Sequence, residues 1–476
     1  MHRYLTRACV AAAAGVALST VGMSGASASS AEMAQAAAGP GAQLWAKLYN
    51  GPGNSSSQAF SVTTSPDGST VYVTGGSGDN GTADYTTVAY NAATGAQRWV
   101  SRYNGGVTAF SVAVSPDGST VFVTGYSAAG TQSGFDYATV AYNAATGAQR
   151  WAKLYSGLGN EGGQAFWLAV SPDGKTVFVT GASGVANNDA EDYATVAYNA
   201  ATGAQRWAKR YNGPGNSNDY AESVAVSPTG NEVFVTGYSA AGPQSSYDYA
   251  TVAYSAATGA QLWAKRYNGP INSGSTAYSV AVNPDGKTVF VTGDTRNAAS
   301  GSDFATVAYD AATGAQLWVK LYNGGGFSGN NPPKLVAVSP DGKTVFVTGD
   351  VAGPSYDYAT VAYNAATGAQ LWAKRYDGPG HNDDVAESVA VSPTGGTVYV
   401  TGYSDGVNLQ PDYATVAYNT ATGARLWVSR YNIPNNTAGA VAFSVTVSPS
   451  GTVFVTGETH PSSTSNWEYA TIAYHS

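Results

Sequence analysis

Valine alternates with small or polar residues in short runs that recur along most of the chain. In one copy the runs are Ser223 to Ser227 (SVAVS), Glu232 to Gly237 (EVFVTG), Tyr249 to Tyr254 (YATVAY) and Leu262 to Tyr267 (LWAKRY). A period of two, filled with β-branched and aromatic residues, predicts strands, here named A, B, C and D. The A–B link reads SPDG or SPTG and the C–D link reads NAATG or a close variant. Each carries a glycine where a tight hairpin needs positive φ. No long 3.6-residue periodicity competes, so the class is all-β.

The four-strand unit is written eight times between Leu44 and Tyr474. The glycine closing each VTG falls at Gly75, Gly125, Gly181, Gly237, Gly293, Gly349, Gly402 and Gly457. Multi-stranded repeats of this length indicate a propeller or an array. The ends decide between them. An orphan D strand around Trp45 opens the series, and a C strand ending at Tyr474 closes it. Pairing the two gives every blade four strands and hides the edges that an open array would expose. The pattern therefore predicts a single eight-bladed β-propeller over residues 42–476, its last blade closed 3+1 by the N-terminal strand. The short, uniform A–B and C–D links share one face. The B–C and D–A links share the other and differ in every copy, as GYSAAGPQSSYD (237–248) does from GDVAGPSYD (349–357). Variable loops on a rigid scaffold carry binding residues, which points to that face and the channel mouth within it.

Composition changes the picture mainly at the N-terminus. Arg3 and Arg7 precede a largely apolar stretch from Ala8 to Met23, and Ala26-Ser27-Ala28 follows. This predicts a signal peptide over 1–28, cleaved before Ser29, then a flexible Ala/Gly/Ser-rich lead-in over 29–41, and a secreted, extracellular product. Cys9, the only cysteine, would leave with the signal, removing disulfide and thiolate chemistry. Loss of the two arginines takes the formal charge from −8 to −10. No nucleic-acid partner and no membrane insertion are expected.

The segment from Ala362 to Trp372 (AYNAATGAQLW) resembles the tryptophan-docking motif of quinoprotein (PQQ-type) propellers. It recurs with Trp99, Trp151, Trp207, Trp263, Trp318 and Trp427, and in part with Trp45. The A and B strands (SPDGKTVFVTG) are similar to YVTN-type and bacterial SBBP propeller repeats, and NGPGN and DYATVAY are closest to SBBP. The resemblance spans almost all of the chain after residue 42. It implies motif tryptophans packed between blades, and functions from dehydrogenases and lactonases to pure scaffolds. Methanol-type quinoprotein dehydrogenases set a vicinal cysteine pair beside the quinone; the mature chain has none, and their calcium site and catalytic aspartate map onto no residue here. PQQ is not expected, and an enzyme is not the favoured reading. Trp167 and Trp467 lie outside the motif and are the more open aromatic candidates.

Acids divide by recurrence. Asp84, Asp136, Asp192, Asp248, Asp357 and Asp412, with Asp303 and Glu468 as variants, open every C strand. An acid in every blade reads as an acceptor for loop backbone N–H groups. Non-recurring residues are the candidates for ligand binding. Asp219 and Glu222 precede blade four, and His381, Asp383, Asp384 and Glu387 precede blade seven. Asp294, Asp350 and Glu458 follow VTG, where Tyr126, Tyr238 and Tyr403 stand in other copies. Such oxygen-rich loops suit Ca²⁺, although no EF-hand-like spacing is present, and the metal remains unassigned. His381, His460 and His475 show no zinc-enzyme spacing. Matches to G-x-S-x-G at 402–406 and to G-x-G-x-x-G at 157–162 lack the strand-to-helix setting that their chemistry requires. The tyrosines, with Tyr220, suit sugar stacking, or cap the blade tops. The leading reading is a secreted, non-enzymatic propeller binding a protein or glycan through its B–C and D–A loop face. The alternative is a quinoprotein-like or lactonase-like enzyme at the channel mouth.

Overall fold

The computed structural model describes residues 39–476 apart from 80–81, 129–133, 158–160, 186–187, 242–245, 273, 299–300, 325–331, 434–438 and 462–465. The expected signal peptide and most of the lead-in lie outside the described residues. Among the described residues thirty-two strands, numbered in chain order, form eight antiparallel four-stranded sheets, and one 3₁₀ turn (Pro52–Asn54) interrupts them. Blade four is representative, with β14 (Asp219–Val226), β15 (Glu232–Ala240), β16 (Tyr247–Ser255) and β17 (Gln261–Tyr267) in that order. The strands run further toward the variable face than the valine pattern implied, and B–C pairing reaches Ala240↔Tyr247.

The closure is as expected. Strand β1 (Gln43–Tyr49) pairs antiparallel with β32 (Glu468–Tyr474), beside β31 (Val453–Thr459) and β30 (Ala440–Val447). Strand A of each blade touches strand A of both neighbours, so the A strands form the inner ring and strand D lies outermost. That ring is stitched by serine: Ser223 Oγ accepts from Val280 N of the next blade (3.3 Å), and Ser444 Oγ accepts from Val62 N across the closure (3.3 Å). Trp167 and Leu335 take the serine position in blades three and six. Trp167 is 4 % exposed and belongs to the core between blades three and four, not to an open surface.

Short links fold as their chemistry demands. Asp117 Oδ1 accepts from Ser119 N (3.0 Å), and Ser115 Oγ accepts from Thr120 N (3.0 Å), closing the A–B turn of blade two with its own side chains. Blades are joined through strands C and D. Trp207 Nε1 donates to Ala256 O of the next blade (2.9 Å), and Tyr193 Oη donates to Ala250 O (3.0 Å). The indole lies over Gly259 (φ 68°), where a Cβ would sit 2.7 Å from Trp207 Cδ2, so only glycine meets both demands.

The glycine closing VTG answers to a second constraint. A Cβ on Gly237 would lie 1.9 Å from Tyr220 O, because strand A bulges toward it. The register steps from Ala221↔Gly237 to Ser223↔Thr236, leaving Glu222 outside the ladder. The same step recurs in all eight blades and displaces Phe60, Phe110, Phe166, Glu222, Tyr278, Lys334, Glu387 and Phe443.

Candidate functional site

The eight bulge residues sit on the inner ring, toward the variable-loop end of strand A. Four are phenylalanines on consecutive blades. Phe60 lies 5.5 Å from Phe443 and 5.6 Å from Phe110, and Phe110 lies 6.2 Å from Phe166 (ring centroids). They form an apolar cluster across half of the mouth. The other four, Glu222, Tyr278, Lys334 and Glu387, occupy blades four to seven and are polar. The residue after VTG on strand B forms a second tier beside the first. It contributes Asp294 in blade five, Asp350 in blade six and Glu458 in blade eight, with Tyr238 and Tyr403 in blades four and seven.

The polar half is a coupled group. Lys334 Nζ lies 3.8 Å from Glu387 Oε2. Asp350 Oδ1 accepts from Ala386 N of the next blade at 2.8 Å. Burial pushes its carboxyl up to about 8; Lys334 opposes this, and Glu387 and Asp383 add to it. Burial also raises Asp294 to about 6, against a hydrogen bond from Tyr278, and Glu387 is raised against Lys334. Burial lifts Glu458 to about 7. Among the described residues Asp294 Oδ1 and Glu458 Oε2 have no hydrogen-bond partner, while Tyr278 and Gln58 reach the same two carboxyls. Tyr278, Asp294, Arg296, Gly301, Ser302 and Pro332 line a pocket of about 300 Å³ between blades five and six.

The nine candidates therefore separate. Glu222, Asp294, Asp350 and Glu387 converge on the polar half of the mouth, and Glu458 stands on its second tier beside the phenylalanines. Asp219 and Asp384 instead pin their own loops: Asp219 Oδ2 accepts from Gly213 N (2.7 Å) and Oδ1 from Ala240 N (3.1 Å), and Asp384 Oδ2 accepts from Gly378 N (2.6 Å). Asp383 Oδ1 accepts from Tyr356 N (3.2 Å), as Asn218 accepts from Glu191 N in blade four (3.1 Å). His381 is exposed, holds a positive φ of 48° where Asn216 has 46°, and lies 2.8 Å from Asp377, which raises its pKa by hydrogen bonding. Asp357, Asp377 and Asp384 each bring an oxygen within 4.8 Å of the others, a set able to meet a divalent cation, although Arg375 already lies 2.7 Å from Asp357.

Lys334, Tyr278 and the four phenylalanines were missed. Their signal was one edited column, the residue before the strand-A serine, reading F, F, F, E, Y, K, E, F in blades one to eight. The recurring Asp of strand C is structural by a different contact from the one expected. Its partner is the strand-D arginine, as in Asp192–Arg210 (3.1 Å), Asp248–Arg266 (3.0 Å) and Asp412–Arg430 (2.8 Å), rather than loop N–H groups. The tyrosines pack on neighbours: Tyr238 lies 5.1 Å from Tyr220 and 5.0 Å from Tyr247. Trp467 is half-buried and edge-on to His460 at 5.3 Å.

Residues 136–306 and 301–462 match the PQQ-type repeat family described as outer membrane protein assembly factor BamB. The chain belongs to that family. No curated protein sequence matches it. Among solved structures it is similar to BamB from Moraxella catarrhalis (14% identity, 91% of this chain and 99% of that one, TM-score 0.53). It is also similar to Chaetomium thermophilum Sqt1 bound to the N-terminus of the ribosomal protein L10 (11%, 90% and 98%, 0.57). A third is quinohemoprotein alcohol dehydrogenase from Comamonas testosteroni (15%, 90% and 76%, 0.55). At these identities the likeness establishes the propeller fold, which enzymes and non-enzymes share. PQQ itself does not fit the mouth: it is a polycarboxylate, and the polar half sets four carboxylates against Lys334 and Arg296. Among the described residues no helix is long and apolar enough to cross a membrane.

Proposed function

We propose that this chain is an exported, non-enzymatic propeller that binds a protein partner at the channel mouth of its variable-loop face. The observation that carries the reading is the split ring, apolar over blades eight, one, two and three and polar over blades four to seven, at the end bearing the edited loops. A half-apolar, half-charged concave surface suits a peptide segment, whose side chains alternate in the same way. Sqt1, a propeller of similar fold, is described bound to a protein N-terminus. The signal-like N-terminus and the SBBP-like NGPGN and DYATVAY elements support an extracellular location, in which the secreted chain begins at Ser29.

The test is selection of binders from a random-peptide display library against the purified protein. Selected peptides should lose binding to Tyr278→Ala and Glu222→Gln at the mouth, and keep it to Asp341→Asn on the opposite face. Binders indifferent to the mouth variants, or a glycan as the sole saturable ligand on a glycan array, would overturn the reading.

A further inference from the structure

The charge of the split ring is uneven, and this narrows the ligand. Asp294, Asp350 and Glu387 share the field of Lys334, already close to Glu387, and Glu222 stands beside Tyr278 at the end of the group. Arg296 stands exposed at the pocket rim. Tyr278 donates to Asp294 and is felt by Glu222; Tyr403 lies within the fields of Asp350 and Glu387. The group is thus short of positive charge, and one carboxylate oxygen in the pocket shows it locally. Asp294 Oδ1, in the half-buried lining of the pocket, has no partner among the described residues, although Tyr278 donates to the same carboxyl. A carboxylate oxygen removed from water without a partner is costly, so Asp294 Oδ1 marks a place for a donor from outside.

The second observation is the arc of Phe443, Phe60, Phe110 and Phe166 across the mouth, in which Phe443 and Phe166 stay partly exposed and Phe60 and Phe110 between them are buried. An uncharged sugar would satisfy neither the missing positive charge nor this phenyl surface as fully as a basic residue beside an apolar one. A polyanion would meet like charge.

Resting on the protein-binding reading above, we infer that the mouth takes a lysine or arginine of an exposed partner segment, with a flanking aromatic or aliphatic residue laid on the phenylalanine arc. The basic group enters the pocket beside Tyr278 and Asp294 and shares the carboxylates with Lys334. Carboxyls held protonated by burial ionise as the cation arrives, so binding releases protons.

Isothermal titration with three synthetic peptides tests this: Gly-Ser-Phe-Lys-Phe-Ser-Gly, blocked at both ends, and its Gln and Glu counterparts. The Lys peptide should bind roughly tenfold or more tightly than the Gln peptide, with the Glu peptide weakest. Its heat at pH 6 should vary with buffer ionisation enthalpy in the sense of proton release. Asp294→Asn and Glu222→Gln, checked for native circular dichroism, should bring the Lys peptide close to the Gln one. Equal binding of Lys and Gln peptides, or no proton release, overturns the inference. If that equal binding is lost in Tyr278→Ala, the protein-binding reading survives alone. If no peptide binds at the mouth below about 1 mM, both fall.

Discussion

Asp350 concentrates the physics of the mouth in one side chain. It is 5 % exposed, accepts a backbone N–H, and faces Lys334, Glu387, Asp383 and Tyr403, with burial holding its carboxyl at about 8. A folded-state pKa above the unfolded value of about 4 means that the folded chain binds the extra proton between those two values. Its contribution to stability is therefore complete below about pH 4 and declines as pH rises toward 8. Asp350→Asn keeps an acceptor for Ala386 N and carries no charge. Thermal melts should show the variant matching the parent at acid pH and exceeding it at pH 8–9 by at least about 1 kcal/mol, the worth of one pKa unit. Equal pH profiles would refute this account. The importance of the position was legible in the sequence, because an acid stands where three other copies carry tyrosine. Its neighbour Lys334 was not, since the chain between Asp350 and Lys334 says nothing of which of their side chains a bulge turns inward.

At the scale of the strand, two regularities decide what an edit means. The arginine on strand D answers the aspartate on strand C in blades one, three, four, six and seven. Blade two breaks the pairing: Leu154 replaces the arginine, and Asp136, 0 % exposed, has no cationic partner among the described residues; burial raises its pKa, opposed only by the Ser156 hydroxyl. Leu154→Arg should restore the contact and stabilise the protein by about 1 kcal/mol or more, seen as a higher melting temperature near neutral pH and little gain where Asp136 is protonated. An unchanged or lower melting temperature at neutral pH would contradict it. The other regularity is the strand-A bulge. Alternation in SVAVS identified the strand correctly but assigned every residue to one of two faces, and a bulge is a residue with no place in that alternation. Its trace was indirect: a glycine after VT in every copy, kept because strand A comes too close for a Cβ.

For the whole molecule, closure is the dominant fact. Strand β1 covers the edge of β32, and Trp45 reaches from that strand to Ala92 O in blade one at 2.9 Å. Removing residues 1–49 would strip both, costing about 3–5 kcal/mol for the buried tryptophan alone and baring a strand edge. Such a truncation should melt at lower temperature and elute from gel filtration as larger species; a monomer of unchanged stability would show that the ring does not depend on its closing strand. The eightfold repeat and its offset ends were enough to establish class, blade count and closure, because these follow from local strand periodicity and from pairing every edge. The sequence also marked the edited residues as the place to look. Which edits meet was decided only by the closed ring. Closure sets blades more than 100 residues apart side by side, bulges turn one residue per blade inward, and the acids divide into loop pins and a mouth of four carboxylates set against Lys334 and Arg296.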